Sequence, residues 1–243
     1  MAITTIDILG VNIHVVSMIK ALDIIQKFIL ARTPRLVATA NAEMVMLAQQ
    51  DTELRQILNE ADLVVPDGAG IVLAARYKGA NIRERVAGLD LVQNLLAIAP
   101  ANNYRVYLFG GAAGVVEAAR KQAETLYPGL QIVGTRNGYF TTAEETTIIE
   151  EIKQRQPDIL LVGLGVPKQE KWLAKNLSAL GIPVAIGVGG SFDVLSGSLP
   201  RAPVWMRKNN LEWFFRLLSQ PQRIGRMLAL PRFVLRVLTD KKR

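Results

Sequence analysis

The sequence contains no cysteine and a single histidine, His14. Without cysteine, the chain can form no disulfide and offers no thiolate as a metal ligand or a nucleophile. His14 alternates with the apolar residues Val11, Ile13 and Val15, a pattern that predicts an early β-strand, and we interpret it as a structural strand histidine. A Ser-His-Asp triad or a metal site built from several histidines is therefore not expected.

Long apolar runs are also missing. No run reaches the roughly 18–20 residues that a helix needs to span a bilayer. The first residues, MAITTIDILG, lack the charged start and the continuous apolar stretch of a signal peptide. We therefore expect a cytoplasmic protein whose contacts with a membrane, if it makes any, are peripheral.

The first 200 residues have no excess of positive charge, whereas the remaining residues are strongly basic. The whole chain has 29 Lys and Arg against 21 Asp and Glu, a formal charge of +8. Residues 201–243 hold eleven of the basic and two of the acidic residues, so residues 1–200 sum to −1. The chain is therefore expected to comprise a nearly neutral globular body, residues 1–200, and a basic C-terminal appendage, residues 201–243.

Residues 1–200 alternate between apolar strands and amphipathic helices. Continuous apolar strands between such helices predict a Rossmann-like, mostly parallel sheet with helices on both faces, an α/β fold. The strands are predicted at 36–39, 63–65, 105–109, 130–133, 159–162 and 183–188. Helices are predicted to begin near Ser17, Asn41, Asp51, Gly68, Gly88, Gly111, Thr142 and Pro167, with Thr142 and Glu145 forming a capping box.

Residues 200–203 (PRAP) mark the boundary to the appendage, in which two helices are predicted, about 204–219 and 222–238, split at Pro221. It is both basic and rich in Trp, Phe, Leu and Val, which favours an anionic membrane surface or a lipid phosphate as its partner. A nucleic-acid tail is usually basic without so much aliphatic bulk. An ordinary helix packed on the core with a solvated basic face stays open, as does pairing with a second subunit.

Polar residues and glycines follow several of the predicted strands. In parallel sheets the active site lies beyond the carboxyl ends of the strands. That rule selects Thr39, Asn41, Asp67, Gly110, Gly111, residues 163–169 and residues 187–193. A carboxylate such as Asp67, directly after a buried strand, is a candidate general base, although a helix cap fits the same position. Gly110 and Gly111 fit a phosphate-binding helix start or, equally, a tight structural turn.

Six motifs in this order resemble those of the WecG/TagA/CpsF glycosyltransferase family. They are residues 39–43 (TANAE), 66–68 (PDG), 84–88 (ERVAG), 138–140 (GYF), 163–170 (GLGVPKQE) and 187–193 (GVGGSFD). The resemblance covers essentially the whole chain, including the basic appendage. The motifs are most similar to those of the TagA branch, the N-acetylmannosamine transferases of wall teichoic acid linkage-unit synthesis.

The resemblance implies a reaction and its partners. N-acetylmannosamine (ManNAc) would pass from UDP-ManNAc to the 4-hydroxyl of GlcNAc-diphospho-undecaprenol at the inner face of the cell membrane, with inversion and without a metal or cofactor. The chain contains no Asp-x-Asp pair, the carboxylate pair with which many nucleotide-sugar transferases hold a divalent ion. Arginines and helix N–H groups would then stabilise the diphosphate leaving group.

The resemblance also implies roles for individual residues. Asp67 matches the candidate general base, which would take the proton of the acceptor hydroxyl. Pocket residues that match include Thr39, Asn41, Gln169 and Arg85, the last a plausible diphosphate partner, with Tyr139 and Asp193 at the uridine end. The appendage arginines Arg216, Arg223 and Arg226 would neutralise the UDP leaving group or the lipid diphosphate.

Three alternatives remain open on the sequence. Another member of the same family would use a different UDP-sugar, such as N-acetylmannosaminuronic acid or glucose, because the pocket motifs do not distinguish donors. A nucleotide-binding regulator or dehydrogenase on a Rossmann-like sheet is disfavoured by the missing G-x-G-x-x-G motif. A nucleic-acid-binding protein that uses the basic tail is the third.

Overall fold

The computed structural model describes residues 3–209, 211–219, 225 and 229–240. Within these residues the chain forms one six-stranded parallel sheet, a separate two-stranded antiparallel hairpin and helices on both faces of the large sheet. The predicted α/β class is therefore confirmed.

The hairpin consists of β1 (Thr5–Ile8) and β2 (Val11–His14). The parallel sheet consists of β3 (Arg35–Ala40), β4 (Leu63–Pro66), β5 (Arg105–Gly110), β6 (Gln131–Arg136), β7 (Ile159–Gly163) and β8 (Val184–Gly187). Its spatial order is β4-β3-β8-β7-β5-β6, and every neighbouring pair is parallel. The carboxyl ends of all six strands therefore lie along one edge, which we call the carboxyl edge.

Twelve α-helices lie within the described residues. They are α1 (Met18–Ala31), α2 (Ala42–Leu47), α3 (Thr52–Glu60), α4 (Ala69–Tyr77), α5 (Gly88–Asn102), α6 (Val115–Leu126), α7 (Glu145–Arg155), α8 (Lys168–Leu180), α9 (Ser191–Leu195), α10 (Val204–Lys208), α11 (Glu212–Ser219) and α12 (Ala229–Thr239). A short 3-10 turn, Thr142–Glu144, precedes α7.

The two faces of the sheet have separate apolar cores. Leu36 and Ala38 of β3 face the core that α3, α4, α7 and α8 cover, whereas Val37 faces the core beneath α1, α5 and α6. This alternation follows from the pleat of a strand, which turns successive side chains to opposite faces. Both faces of the sheet are buried at its centre, and the central strands β7 and β8 are therefore apolar along their whole length.

Side-chain caps fix several helix starts where the sequence predicts them. The side chains of Ser17, Asn41 and Asp51 accept hydrogen bonds from backbone N–H groups in the first turns of α1, α2 and α3. The capping box before α7 lies one residue earlier than predicted, between Thr141 and Glu144, because the 3-10 turn occupies the first helical positions.

His14 is a strand residue, as predicted, with a structural role. Its Nδ1 accepts a 2.9 Å hydrogen bond from the backbone N–H of Val64, at the edge strand β4. Burial lowers the pKa of His14, which keeps the ring neutral and able to accept this bond. This hydrogen bond attaches the hairpin to β4, the strand at one edge of the sheet.

The appendage folds back onto the body. The first predicted appendage helix is broken into α10 and α11, between Lys208 and Glu212. Phe233 and Val237 of α12 are buried in the core that also contains α2 and α4. None of the helices in the described parts of the chain has both the length and the apolar composition needed to cross a membrane.

Candidate active site

Asn41 and Asp67 are brought together at the carboxyl edge. Asn41 directly follows β3 and Asp67 directly follows β4, and the two strands pair in register at Ala40 and Pro66. The backbone N–H of Asp67 donates to the carbonyl oxygen of Ala40 over 2.8 Å, which fixes the turn. The structure therefore brings these two residues together, and their role in a substrate site stays a prediction.

Asp67 is a partly buried carboxylate among charged groups. Burial raises its pKa above the usual value, while the charges of Arg85 and Arg216 and a hydrogen bond from the Gly88 backbone oppose the rise and Glu212 adds to it. A raised pKa makes the carboxylate a stronger base than an ordinary aspartate. Its surroundings therefore suit proton abstraction.

Arg85 lies beside Asp67 because its loop is tied to the end of β4. The neighbouring Val86 donates its backbone N–H to the carbonyl oxygen of Pro66 over 3.0 Å. The Arg85 side chain is largely buried, and its Nη2 lies 2.8 Å from Oε2 of Glu212 in α11. A body arginine and an appendage glutamate thus meet next to the candidate base.

The appendage contributes Arg216 to the same place. Arg216 lies one turn after Glu212 on α11, and its Nη2 lies 3.4 Å from Oε1 of Glu212. Together with Asp193 of α9 and Phe215, these two residues line a cleft between α9 and α11. Arg223 and Arg226, which the sequence also assigns to this set, lie outside the described residues.

Thr39 and Asn41 already have structural partners. Thr39 is buried within β3 and donates its hydroxyl to the carbonyl oxygen of Gly187 over 3.2 Å. Oδ1 of Asn41 accepts the N–H of Met44 as the cap of α2. Both residues lie at the carboxyl edge, and their contact with a sugar stays a prediction.

Gln169 lies beneath the loop after β8 and is 1% exposed. Its Oε1 accepts the N–H of Gly189 over 3.0 Å, and its Nε2 donates to Oε1 of Glu170 over 2.7 Å. A Cβ on Gly187 would lie 2.7 Å from Nε2 of Gln169, so the amide packs where residue 187 has no side chain. Gln169 therefore shapes the loop that leads to Asp193, and a direct contact with substrate stays a prediction.

The turn at Gly110 and Gly111 is required by the packing of the chain. Gly110 has a φ of +128°, and a Cβ there would collide with the backbone of Gly163. The N–H of Gly111 donates to the carbonyl oxygen of Gly163 over 2.9 Å, and its carbonyl oxygen accepts the N–H of Gly138. The N–H of Gly111 is thus already engaged, and the structural interpretation of this turn accounts for both glycines.

Tyr139 lies apart from the charged cluster around Asp67. It follows Gly138, which packs against the Gly110 turn, and its side chain is 77% exposed. Its assignment to the uridine end stays a prediction. Within the described residues, no three histidine or acidic side chains are grouped as ligands for a metal ion.

Comparison with known proteins identifies the family. A family model described as "Glycosyl transferase WecG/TagA/CpsF family" matches residues 6–243. The chain belongs to the WecG/TagA/CpsF family. It is therefore a glycosyltransferase, as its six motifs predict.

Two curated members of the WecG/TagA/CpsF family illustrate the likeness. A Bacillus subtilis (strain 168) protein is 34% identical over 232 residues, which are 96% of this chain and 89% of that protein. A Staphylococcus aureus (strain MW2) protein is 33% identical over 240 residues, 98% of this chain and 94% of the relative. Both are named N-acetylglucosaminyldiphosphoundecaprenol N-acetyl-beta-D-mannosaminyltransferase.

Two residues at this site of the WecG/TagA/CpsF protein were not predicted from the sequence. Glu212 is not among the site residues predicted from the sequence, yet it is 7% exposed and pairs with two arginines. Glu170 ends the GLGVPKQE motif, yet its burial and its pairing with Gln169 depend on how α8 meets β8. The available signal for Glu212 was that it is one of only two acids in a strongly basic segment.

Proposed function

We propose that this protein transfers ManNAc from UDP-ManNAc to the 4-hydroxyl of GlcNAc-diphospho-undecaprenol, with inversion, in wall teichoic acid linkage-unit synthesis. The names of the two relatives supply the acceptor and the transferred sugar. The observation that carries the proposal is Asp67, a carboxylate of raised pKa at the carboxyl edge, with Arg85 and Arg216 beside it.

Asp67 acts as the general base of a single displacement. The acceptor oxygen attacks C1 of the donor sugar as Asp67 takes the hydroxyl proton, and the bond between C1 and the diphosphate oxygen breaks. UDP leaves with the bonding electron pair, and the proton remains on Asp67 until solvent removes it. Attack from the side opposite the leaving group inverts C1. A positioned base contributes about 10²–10⁴-fold to the rate.

Arg85 and Arg216 neutralise the diphosphate as it departs. A guanidinium binds phosphate oxygens through a planar fork of N–H groups, and such charge-assisted hydrogen bonds strengthen as negative charge develops. Arg223 and Arg226 are proposed to add to this set. The reaction then needs no divalent ion.

The appendage holds the enzyme at the inner face of the cell membrane. Bulky apolar side chains are exposed on its helices beside basic residues: Val204, Trp205, Trp213, Phe214, Leu218, Val234, Leu235 and Leu238. Apolar side chains insert at the level of the lipid headgroups, and each nearby Lys or Arg adds about 1 kcal/mol at an anionic surface. The same exposed surface also fits self-association, which sedimentation of the protein without vesicles separates from lipid binding.

The test is UDP release from UDP-ManNAc with a GlcNAc-diphospholipid acceptor in EDTA. We expect acceptor-dependent turnover that Asp67→Asn lowers by about 10²–10⁴-fold. The control is Asp158→Asn, a buried aspartate directly before β7, at the opposite edge of the sheet, where it accepts the N–H of Arg105. This control should lose stability while keeping turnover per folded molecule.

Other results would redirect the proposal. Turnover with UDP-N-acetylmannosaminuronic acid or UDP-glucose but not with UDP-ManNAc would keep the reaction type and replace the donor. Activity that appears only after Mg²⁺ is added would refute the metal-free mechanism. Full activity of Asp67→Asn would remove Asp67 as the base.

A further inference from the structure

Glu212 is an acidic residue buried inside the most basic part of the chain. Its carboxylate lies 2.8 Å from Nη2 of Arg85, 127 residues earlier in the sequence, and 3.4 Å from Nη2 of Arg216 on its own helix. Its side chain is 9% exposed and that of Arg85 is 16% exposed. One carboxylate thus engages a guanidinium from the body and another from the appendage.

This carboxylate belongs to the same electrostatic cluster as Asp67. The charges of Arg85, Arg216 and Glu212 all act on the pKa of Asp67. Two guanidinium groups and two carboxyl groups therefore lie close together. Opposite charges paired in this way can be buried at a far lower cost than an isolated charge.

The geometry leaves hydrogen-bond donors for a ligand. A guanidinium carries five N–H donors, and Glu212 engages one terminal nitrogen of each arginine. Both guanidinium groups are thereby tied to one carboxylate, and their other donors remain for a ligand. Two arginines held side by side in this way form a site for an anion with oxygens on two neighbouring phosphorus atoms.

We propose that Glu212 is a positioning residue, which holds Arg85 and Arg216 in the orientation that binds the donor's diphosphate beside Asp67. It also joins the appendage to the catalytic body, because the pair with Arg85 forms only when α11 lies against the body. The inference rests on the proposed function, since the anion it serves is the UDP leaving group.

The first experiment measures UDP affinity by calorimetry and turnover for wild type, Glu212→Gln and Glu212→Asp. Glu212→Gln removes the charge but keeps the size, so both arginines lose their fixed direction. We expect UDP affinity to weaken by about tenfold or more and kcat to fall by a similar factor. Glu212→Asp, which keeps the charge, should recover part of both.

The matched control is Asp240→Asn. Asp240 also pairs an appendage carboxylate with a buried body cation, Lys78, over 2.6 Å. Lys78 directly follows α4, whereas Asp67 precedes it, so the two pairs are separated by a helix about 13 Å long. Asp240→Asn weakens appendage docking without touching the arginines, and we expect near-wild-type UDP affinity.

Each result decides for or against the inference. Equal losses in Glu212→Gln and Asp240→Asn would mean that Glu212 only docks the helix, and would overturn it. Unchanged or tighter UDP binding by Glu212→Gln would overturn it too, since the carboxylate would then compete with the phosphates. If wild type binds UDP but does not turn over UDP-ManNAc, a selective loss in Glu212→Gln still supports Glu212, and only the donor assignment fails. No UDP binding by wild type would overturn both proposals.

Discussion

At the scale of single residues, two carboxyl groups near the carboxyl edge stand in contrasting surroundings. Burial raises the pKa of Asp67, but two arginines and a backbone N–H limit the rise. Burial raises the pKa of Glu170 to about 7, and its Oε2 has no hydrogen-bond partner. Asp67 lies among charged groups at the candidate site, whereas Glu170 is buried against Gln169 and keeps its proton close to neutral pH.

Glu170 makes the stability of the fold depend on pH. Its folded pKa of about 7 exceeds the ordinary value of 4.5, so the folded chain keeps a proton that the unfolded chain releases as the pH rises between these values. The stabilising contribution of this group is complete below pH 4.5 and is lost as the pH rises to about 7, on the order of 3 kcal/mol. Glu170→Gln, which is always neutral, should lose less stability than wild type over this range.

Urea unfolding at pH 5 and pH 8 measures this effect. The matched control is Glu150→Gln, an exposed glutamate on α7, which should follow the wild-type dependence. An identical change with pH in wild type and Glu170→Gln would show that Glu170 is ionised throughout in the folded chain.

Some of these residues could be predicted from the sequence and others could not. The position of Asp67 could be predicted, because a carboxylate directly after an apolar strand of a parallel sheet must lie at the carboxyl edge. The role of Glu212 could not, because its partner Arg85 is 127 residues away and only the tertiary fold brings the two together. The burial of Gln169 likewise depends on the close approach of Gly187, which no local pattern reveals.

At the scale of elements, α12 packs against the two helices that begin at the candidate site. Its buried residues Phe233 and Val237 pack in the core shared with α2 and α4, the helices that begin beside Asn41 and Asp67. Leu230 of α12 also lies against Gly70, in the first turn of α4. The position of α12 therefore influences how the two polar helix starts are held.

Phe233→Ala tests this support. Phe233 is 1% exposed, and removal of its ring should lower the free energy of unfolding by about 3–5 kcal/mol and reduce turnover with it. Leu235→Ala, on the same helix but 65% exposed, should change stability by about 0.5 kcal/mol or less. Urea unfolding followed by circular dichroism compares the two, and equal effects would contradict the packing of α12 on the body.

The break between α10 and α11 escaped prediction for a physical reason. Apolar residues recur at helical spacing from 204 to 219, so periodicity favours one helix. In the structure the N–H of Leu211 turns back to the carbonyl oxygen of Met206 over 2.8 Å, and a new helix begins at Glu212. The ion pair between Glu212 and Arg85 compensates for the interrupted helix. This pair forms only in the tertiary structure, so local periodicity does not reveal it.

At the scale of the whole molecule, charge and exposed apolar surface coincide in the appendage. We expect the protein to sediment with vesicles that contain anionic lipid, more weakly with purely zwitterionic vesicles, and less as salt rises. Leu235→Ser together with Leu238→Ser should lower binding to anionic vesicles, because both side chains are exposed beside basic residues.

Leu126→Ser is the matched control, since Leu126 is an exposed leucine on α6 of the body. It should bind vesicles as wild type does. Equal losses in both variants would contradict a membrane role for the appendage. Sedimentation of the protein alone and with an oligonucleotide identifies the two other outcomes, self-association and nucleic-acid binding.

The hydrogen bond between His14 and Val64 has a consequence for solubility. An edge strand with free N–H and C=O groups invites a strand of another chain, the first step of sheet-to-sheet aggregation. The neutral imidazole accepts a hydrogen bond from the N–H of Val64, and the hairpin lies alongside β4. Protonation in acid would turn Nδ1 from an acceptor into a donor and release that N–H. At neutral pH the sole histidine of the chain therefore prevents strands of neighbouring molecules from pairing with this edge of the sheet.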